Sequence, residues 1–279
     1  NANQTDKIHA AIEKLASGET SYKVDVNDFS SLEAELAEGL NRISDGLETA
    51  LAEQVKSERL KADLITNVSH DIKTPLTSII NYVDLIKRQH IEDPTVQKYL
   101  EVLDQKSQRL KTLTEDLVEA SRASSGNIKL EITNIDFVEL VQQTTGEFEE
   151  KYAIRHLEIV NTLPNEVIMI EADGRRLWRV LENLYNNAFK YALEGTRVYV
   201  TIEDHGADVV FTIKNVSANP LNISPDELTE RFVRGDVSRT TEGSGLGLSI
   251  AKDLTTLQGG KFELIIDGDL FKAQITFPI

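Results

Sequence analysis

Asn67-Val68-Ser69-His70-Asp71-Ile72-Lys73-Thr74-Pro75-Leu76 decides how this chain is read. Around it Leu60, Leu64, Val68, Ile72, Leu76, Ile79, Ile80, Val83 and Ile86 recur every three or four positions, the period of an amphipathic helix. His70 lies near that apolar stripe but outside it. Thr74 at i+4 and Lys73 at i+3 share its side of the helix. Asp71 faces His70 less directly. An imidazole can still turn Nδ1 toward it, which would fix the tautomer and leave Nε2 free as a nucleophile. Pro75 removes the amide that would bond the carbonyl of Asp71, so a bend is expected just after the histidine.

The sequence has 279 residues, 40% of them hydrophobic, enough for two or three domains. A net charge of −16 argues against nucleic acid as a partner and against docking on an anionic membrane surface. The absence of cysteine excludes disulfides, thiolate metal sites and a thiol nucleophile. No apolar run approaches the roughly 18 residues of a membrane span. With neither an initiating methionine nor a signal peptide, the chain is expected to be a portion of a longer protein.

Before the histidine, Ile8, Ile12 and Leu15 and then Leu32, Leu36, Leu40, Ile43 and Leu47 flank a connector from Gly18 to Ser30. The 4-3-4 spacing suits a coiled-coil seam, and so narrow a stripe argues for a parallel dimer. The helix continues from about 53 to 88. Asp93-Pro94 starts a second one, with Val96, Leu100, Leu103, Leu110 and Leu117 in heptad spacing. Two antiparallel helices doubled by a partner chain make a four-helix bundle. Ser124-Ser125-Gly126 marks a hinge at 121 to 127.

Beyond 127, short alternating or apolar runs are read as strands: Ile128 to Ile132, His156 to Leu163, Val167 to Ile170, Arg197 to Glu203, Val209 to Lys214, Phe262 to Ile266 and Leu270 to Phe277. Helical stretches fall near 136 to 152, 174 to 193 and 246 to 257. The pattern predicts an α/β sandwich, one sheet with helices over one face. On the helix after Asp173, Leu177, Leu181, Leu184 and Ala188 share one face. Asn183, Asn187, Lys190 and Tyr191 lie a quarter turn or more away, with Asn186 and Glu182 directed elsewhere. A polar stripe beside a buried face is where a ligand crevice would form. Gly243-Ser244-Gly245-Leu246-Gly247-Leu248 opens another helix, where glycines let the backbone approach phosphate and free amides bind the anion. His9, His90, His156 and His205 have no metal-ligand spacing.

The stretch at 67 to 76 resembles the phosphoacceptor box of sensor histidine kinases. Asn183 to Tyr191 resembles their N box, Glu230-Arg231-Phe232 the phenylalanine box, Asn219 to Glu242 the mobile lid, and Gly243 to Leu248 the second glycine box. The resemblance implies that His70 takes the γ-phosphoryl group of ATP, that Asp71 acts as acid/base, and that Thr74 positions water when the partner is dephosphorylated. It implies Asn187 as the Mg2+ ligand with Asn183 as companion, Lys190 on phosphate and Tyr191 near the nucleoside. Gly243, Gly245, Leu246 and Gly247 would form the phosphate turn, and Arg234 and Arg239 are candidates for the terminal phosphate. One box departs from the family: Asn215-Val216-Ser217-Ala218-Asn219-Pro220 stands where Asp-x-Gly-x-Gly is expected. Asn215 can offer its carbonyl to the adenine amino group, without charge assistance.

The family organisation then reads as a HAMP-like relay over 1–52, a dimerisation and phosphotransfer hairpin over 53–123, and an ATP-binding sandwich of the gyrase and histidine-kinase type over 128–279. For 1–52 a generic dimerising coiled coil is the alternative. The implied setting is the cytoplasmic portion of a membrane-anchored bacterial sensor, acting as a homodimer on a response-regulator receiver domain. Two rivals stand beside it. One is a phosphatase-dominant or pseudokinase scaffold weakened at Asn215. The other is a gyrase-like hydrolase, disfavoured because Asn183 occupies the place of the water-activating glutamate.

Overall fold

The structure is a computed structural model that describes residues 2–29, 31–89, 91–126, 128–229 and 244–279. The chain divides into two compact units, 1–63 and 64–279. In the first, α1 (Ala2–Ala16) leads through a connector with a 3-10 turn (Val26–Asp28) into α2 (Ser31–Lys87). Gly18, at φ +99°, turns the chain out of α1, a conformation that costs a glycine little. Side chains of α2 then stand in for a missing β-ladder. The Asn41 amide accepts from Val24 N–H at 2.9 Å and donates to Val24 C=O at 2.8 Å, and the buried Ser44 hydroxyl donates to the carbonyl of Thr20.

In the second unit α2 runs through Pro75 as one helix, and the Thr77 hydroxyl bonds the carbonyl of Lys73 at 2.8 Å. Asp93 caps α3 (Pro94–Ser124), accepting from the N–H groups of Thr95 and Val96 at 2.8 and 3.3 Å, with Pro94 in the first turn where its missing N–H costs nothing. Lys87 Nζ meets Asp104 Oδ2 at 2.6 Å across the hairpin. Leu64, Val68, Ile79, Leu85, Val102 and Leu103 remain at least 45% exposed. One hairpin therefore covers only part of its own apolar seam.

The remainder comprises β1 (Thr133–Asp136), α4 (Phe137–Ala153), β2 (Glu158–Thr162), β3 (Met169–Ala172), α5 (Gly174–Tyr191), β4 (Arg197–Asp204), β5 (Asp208–Val216), α6 (Pro225–Thr229), α7 (Gly247–Leu257), β6 (Lys261–Asp267) and β7 (Leu270–Pro278). Five strands form a sheet in the order β2-β4-β5-β7-β6, with β2 and β4 parallel and the other pairs antiparallel. Buried residues alternate with more exposed ones along β4 and β7, and along β5 except at the buried Thr212, so the helices cover a single face. Phe137, Phe211 and Phe277 meet there in tilted and edge-on pairs 6.2 to 6.4 Å apart.

Two expectations are corrected. The strands make not one sheet but two, since β1 and β3 pair apart from the other five. Ile128 to Ile132 is no strand; the first is Thr133–Asp136, paired with β3. The N–H of Glu131 is taken instead by Asp173 Oδ2 at 3.0 Å, a carboxylate acceptor that competes with a ladder, while Ile128 packs on the core.

The packing predicts opposite outcomes for two glycines. A methyl on Gly260 would sit 2.8 Å from the Phe277 ring, whereas one on Gly146 in α4 meets nothing within 4 Å. Gly260→Ala should cost about 1–3 kcal/mol by overpacking, and Gly146→Ala should add roughly 0.5–1 kcal/mol by helix propensity. Denaturant midpoints moving the same way for both would contradict this packing.

Candidate functional site

Helix α5 carries the site, and both of its ends are tied. At the start Asp173 caps the N–H groups of Arg175 and Arg176 at 3.0 and 3.1 Å, while its own N–H donates to Gln258 Oε1 at 2.9 Å. Desolvation opposes the charge of Asp173. The N–H groups of Glu131, Arg176 and Arg175, with the Arg176 charge, outweigh that and hold its carboxyl below the usual range. At the other end Arg155 donates to the carbonyls of Phe189, Lys190 and Ala192, the groups a helix C-terminus leaves unpaired.

Between these ties Leu177, Val180, Leu181, Leu184, Tyr185 and Ala188 enter the core. Asn183, Asn187, Lys190 and Tyr191 line a cavity of about 630 Å3, together with Asn215 and Ser217 from the end of β5 and Ser244, Gly245 and Gly247 at the entry to α7. Its size suits a small organic ligand. A Cβ on Gly247 would lie 3.2 Å from Asn183 Oδ1, so glycine is what allows this turn to meet α5. Gly247 and Leu248, in the first turn of α7, have N–H groups with no partner inside the helix, and both residues line the cavity. Asn183 Nδ2 is buried without a hydrogen-bond partner, an unmet polar demand on the cavity wall. Asn215 is 2% exposed and its Nδ2 donates to the carbonyl of Val216 at 3.2 Å. A carbonyl can only accept, so Oδ1 is the atom left for a ligand's donor.

His70 and Asp71 stand on α2 with side chains 79% and 86% exposed, His70 Nδ1 lying 3.7 Å from Asp71 Oδ1. Nε2 is thereby left to solvent. Thr74, one turn on, has its hydroxyl 3.5 Å from the carbonyl of His70. These three residues do not line the cavity; the hairpin contributes Thr112 and Asp116 from α3 to its wall instead.

Two sequence readings need adjustment. Asn186, expected to point away, lines the cavity beside Asn187, because the space extends past the N-box face toward α4. Leu246, placed with the phosphate turn, is 1% exposed and its side chain packs in the core, while its N–H donates to Ser244 Oγ at 3.2 Å. Arg234, Arg239, Gly243, the Glu230-Arg231-Phe232 segment and the 230–242 part of the lid lie outside the described residues.

Sequence reasoning missed the charges that close the cavity against α3. Arg179 reaches Asp116 Oδ1 at 2.6 Å, Glu119 Oε2 at 2.8 Å and Glu182 Oε2 at 2.6 Å, and Arg176 reaches Glu119 at 3.4 Å. Burial disfavours the Arg179 charge, but its bonds to Glu182 and Glu119 more than compensate and raise its pKa. Spacing could have flagged Arg176-Arg179 and Asp116-Glu119 as like-charged i, i+3 pairs, one cationic and one anionic; only the fold brings them together. Arg179→Gln would leave three carboxylates crowded and short of a cation, and should lower stability by about 1–3 kcal/mol. Adding Glu119→Gln should restore part of that loss; a thermal-unfolding cycle in which the two changes simply add would rule out the shared network.

Comparison with known proteins follows this geometry. Residues 60–126 match the family model "His Kinase A (phospho-acceptor) domain", and residues 172–277 match "Histidine kinase-, DNA gyrase B-, and HSP90-like ATPase". The sensor protein VanS of Enterococcus faecium is 31% identical over 229 residues, 80% of this chain and 58% of VanS. Sensor histidine kinase WalK of Bacillus subtilis (strain 168) is 28% identical over 215 residues, 75% of this chain and 35% of WalK. The chain spans about half or less of the length of the curated relatives it matches. In fold it is similar to histidine kinase ThkA in complex with response regulator TrrA, with TM-score 0.55, 24% identity, and coverage of 83% of this chain and 66% of that one.

Proposed function

Because the chain belongs to the sensor histidine kinases of two-component systems, we propose that it phosphorylates His70 from ATP and passes the phosphoryl group to an aspartate of a response-regulator receiver domain. The observation that carries this is one compact unit holding both an exposed imidazole on a bundle helix and a cavity walled by carboxamides, a lysine and a glycine turn.

ATP would occupy the cavity, its base toward Asn215 and Tyr191 and its phosphates toward the first turn of α7. The walls suit Mg2+: Asn187 offers a hard amide oxygen, and turning over the Asn183 amide would place its oxygen where the unpartnered Nδ2 now sits. When bound, Mg2+ would neutralise charge on the phosphate oxygens. His70 uses the Nε2 lone pair to attack the γ-phosphorus in line; the Nε2–P bond forms as the bond to the β–γ bridging oxygen breaks and ADP leaves. Asp71, on the Nδ1 side, holds the proton there and takes it up as the imidazole acquires the phosphoryl group. Lys190 would bind phosphate, and Thr74 would orient water for regulator dephosphorylation. Arg234 and Arg239 keep their proposed roles at the terminal phosphate, and Gly243 its proposed place in the phosphate turn.

The exposed seam residues Leu64, Val68, Ile79 and Leu103 support a homodimer, in which a second hairpin would cover them. The TrrA partner of ThkA supports a receiver domain as the acceptor. We assign residues 1–52 to a HAMP-like relay and the parent protein to a membrane-anchored sensor whose cytoplasmic part is this chain; no described helix is long and apolar enough to cross a membrane. The neutral Asn215 favours a second reading, a phosphatase-dominant or pseudokinase scaffold.

Incubation with γ-labelled ATP and Mg2+ tests the choice. Label that is acid-labile and alkali-stable is expected in the wild type, absent in His70→Gln and reduced at least tenfold in Asn187→Ala. Unlabelled but folded, dimeric wild type would favour the scaffold; full labelling of His70→Gln would remove His70 from its role.

A further inference from the structure

Lys151 sits near the end of α4, and its ammonium is held by neutral partners. Nζ donates to Asn186 Oδ1 at 2.6 Å and stands 4.8 Å from the Phe189 ring centroid and 5.1 Å from that of Phe148. Glu182 is the carboxylate whose charge reaches it, and Glu182 gives an oxygen to Arg179 at 2.6 Å. Among the described residues Lys151 has no ion pair. Burial therefore pushes its pKa down, against the weaker pull of Glu182. A lysine that merely lays its stem on aromatic rings keeps its head in water. Here the head is half-buried on the cavity wall.

The place of that head along the cavity follows from α5. Tyr191 lies beside the end of β5, since the N–H of Ala218 donates to its carbonyl at 2.8 Å and Ala192 bridges Ser217. Asn183, two turns earlier, meets Gly247 at the first turn of α7. At about 1.5 Å per residue these marks are roughly 12 Å apart, about the reach of a nucleoside with its first phosphates. Asn186 is within one turn of Asn183 and holds Lys151. The ammonium thus stands toward the end where α7 presents free amides, where an anion would gather.

We infer that Lys151 is a second phosphate-binding lysine of this cavity, a group that contacts the polyphosphate of a nucleoside triphosphate besides Lys190. This rests on the reading that the cavity holds ATP. With three donors, the ammonium can keep Asn186 and still bond a phosphate oxygen. Anion binding supplies the counter-charge that the protein does not, so the cost of desolvating the cation is recovered when ligand enters. Lysine and its neutral partners also hold Asn186 still next to Asn187.

Calorimetric titration of wild type, Lys151→Met and Lys151→Arg with ATP plus Mg2+ and, separately, with adenosine tests the inference. Lys151→Met should bind ATP roughly ten- to a hundredfold more weakly, the worth of one charge-assisted hydrogen bond. Its adenosine affinity should match that of the wild type, and Lys151→Arg should recover most of the ATP binding. Unchanged ATP affinity in Lys151→Met overturns the proposal, as does an equal loss for ATP and adenosine, which marks a packing role. Wild type that binds no ATP overturns the underlying reading instead. A second measurement avoids dependence on the variant's folding: acetylation of Lys151 in the wild type, followed by mass spectrometry, should be suppressed by ATP and not by adenosine. Equal acetylation with both ligands overturns the proposal.

Discussion

The structure of the candidate site depends on the fixed register of α5. A helix that must face the core and a cavity at once tolerates little rotation, since about 100° per residue would carry Asn183 or Asn187 off the wall. Propensity does not supply that fixity. Two side chains from distant segments do: Asp173, bonded to Glu131 and to Gln258, sets the first turn, and Arg155 closes the last by taking three carbonyls. Leu177, Leu181 and Leu184 then lock rotation by burial, and the remaining face is left to ligand chemistry. Tyr185 and Tyr152 reinforce this lock. The Tyr152 hydroxyl donates to the Tyr185 carbonyl at 2.7 Å, and the Tyr185 hydroxyl meets Thr145 at 2.7 Å. Burial holds both phenols above their usual pKa, neutral and committed to these bonds.

Overall acidity and local affinity for phosphate are compatible here because charge is sorted by place. The sequence carries a net −16. The cavity nevertheless gathers Lys151, Lys190, Arg179 and the first amides of α7; of the two carboxylates among its described lining, Asp116 pairs with Arg179 at 2.6 Å and Glu227 accepts from the N–H of Ser224 at 3.1 Å. Screening confines the effect of distant surface charge to about 8–10 Å, so the net value says little about this wall.

What was legible in the sequence is what repeats along one element. The apolar period of α5 located its buried face, and the spacing of Asn183, Asn187, Lys190 and Tyr191 located the cavity side. Gly245 and Gly247 marked a turn that must come close to something; Asn183 proved to be its neighbour. What stayed hidden depends on contacts between elements. Lys151 lies 35 positions from Asn186, and Arg179 lies 63 from Asp116, so no local pattern pairs them. The 128 to 132 run failed differently. Its alternation was real, but a strand needs a partner, and the carboxylate of Asp173 took the amide a ladder would have used.

The separation of His70 from the cavity is the structural fact that phosphorylation by the proposed mechanism has to overcome. Within this unit α3 closes the cavity through Thr112 and Asp116, and Ala120 and Ala123 enter the same core as the sheet's helices. A γ-phosphate could approach His70 only if this contact is exchanged for another. The ion pairs of Arg179 make such an exchange inexpensive. Each charge leaves a largely buried pair for full hydration, so the Coulomb attraction lost is offset by the hydration regained and the net worth of the pair is small. Ala120, Ala123 and the partly buried Leu117 bring less apolar area to this contact than the rings of Phe137, Phe211 and Phe277 bring to the interior of the sandwich. The hierarchy of contact strengths therefore favours a sandwich that leaves α3 as a rigid body long before it loosens internally.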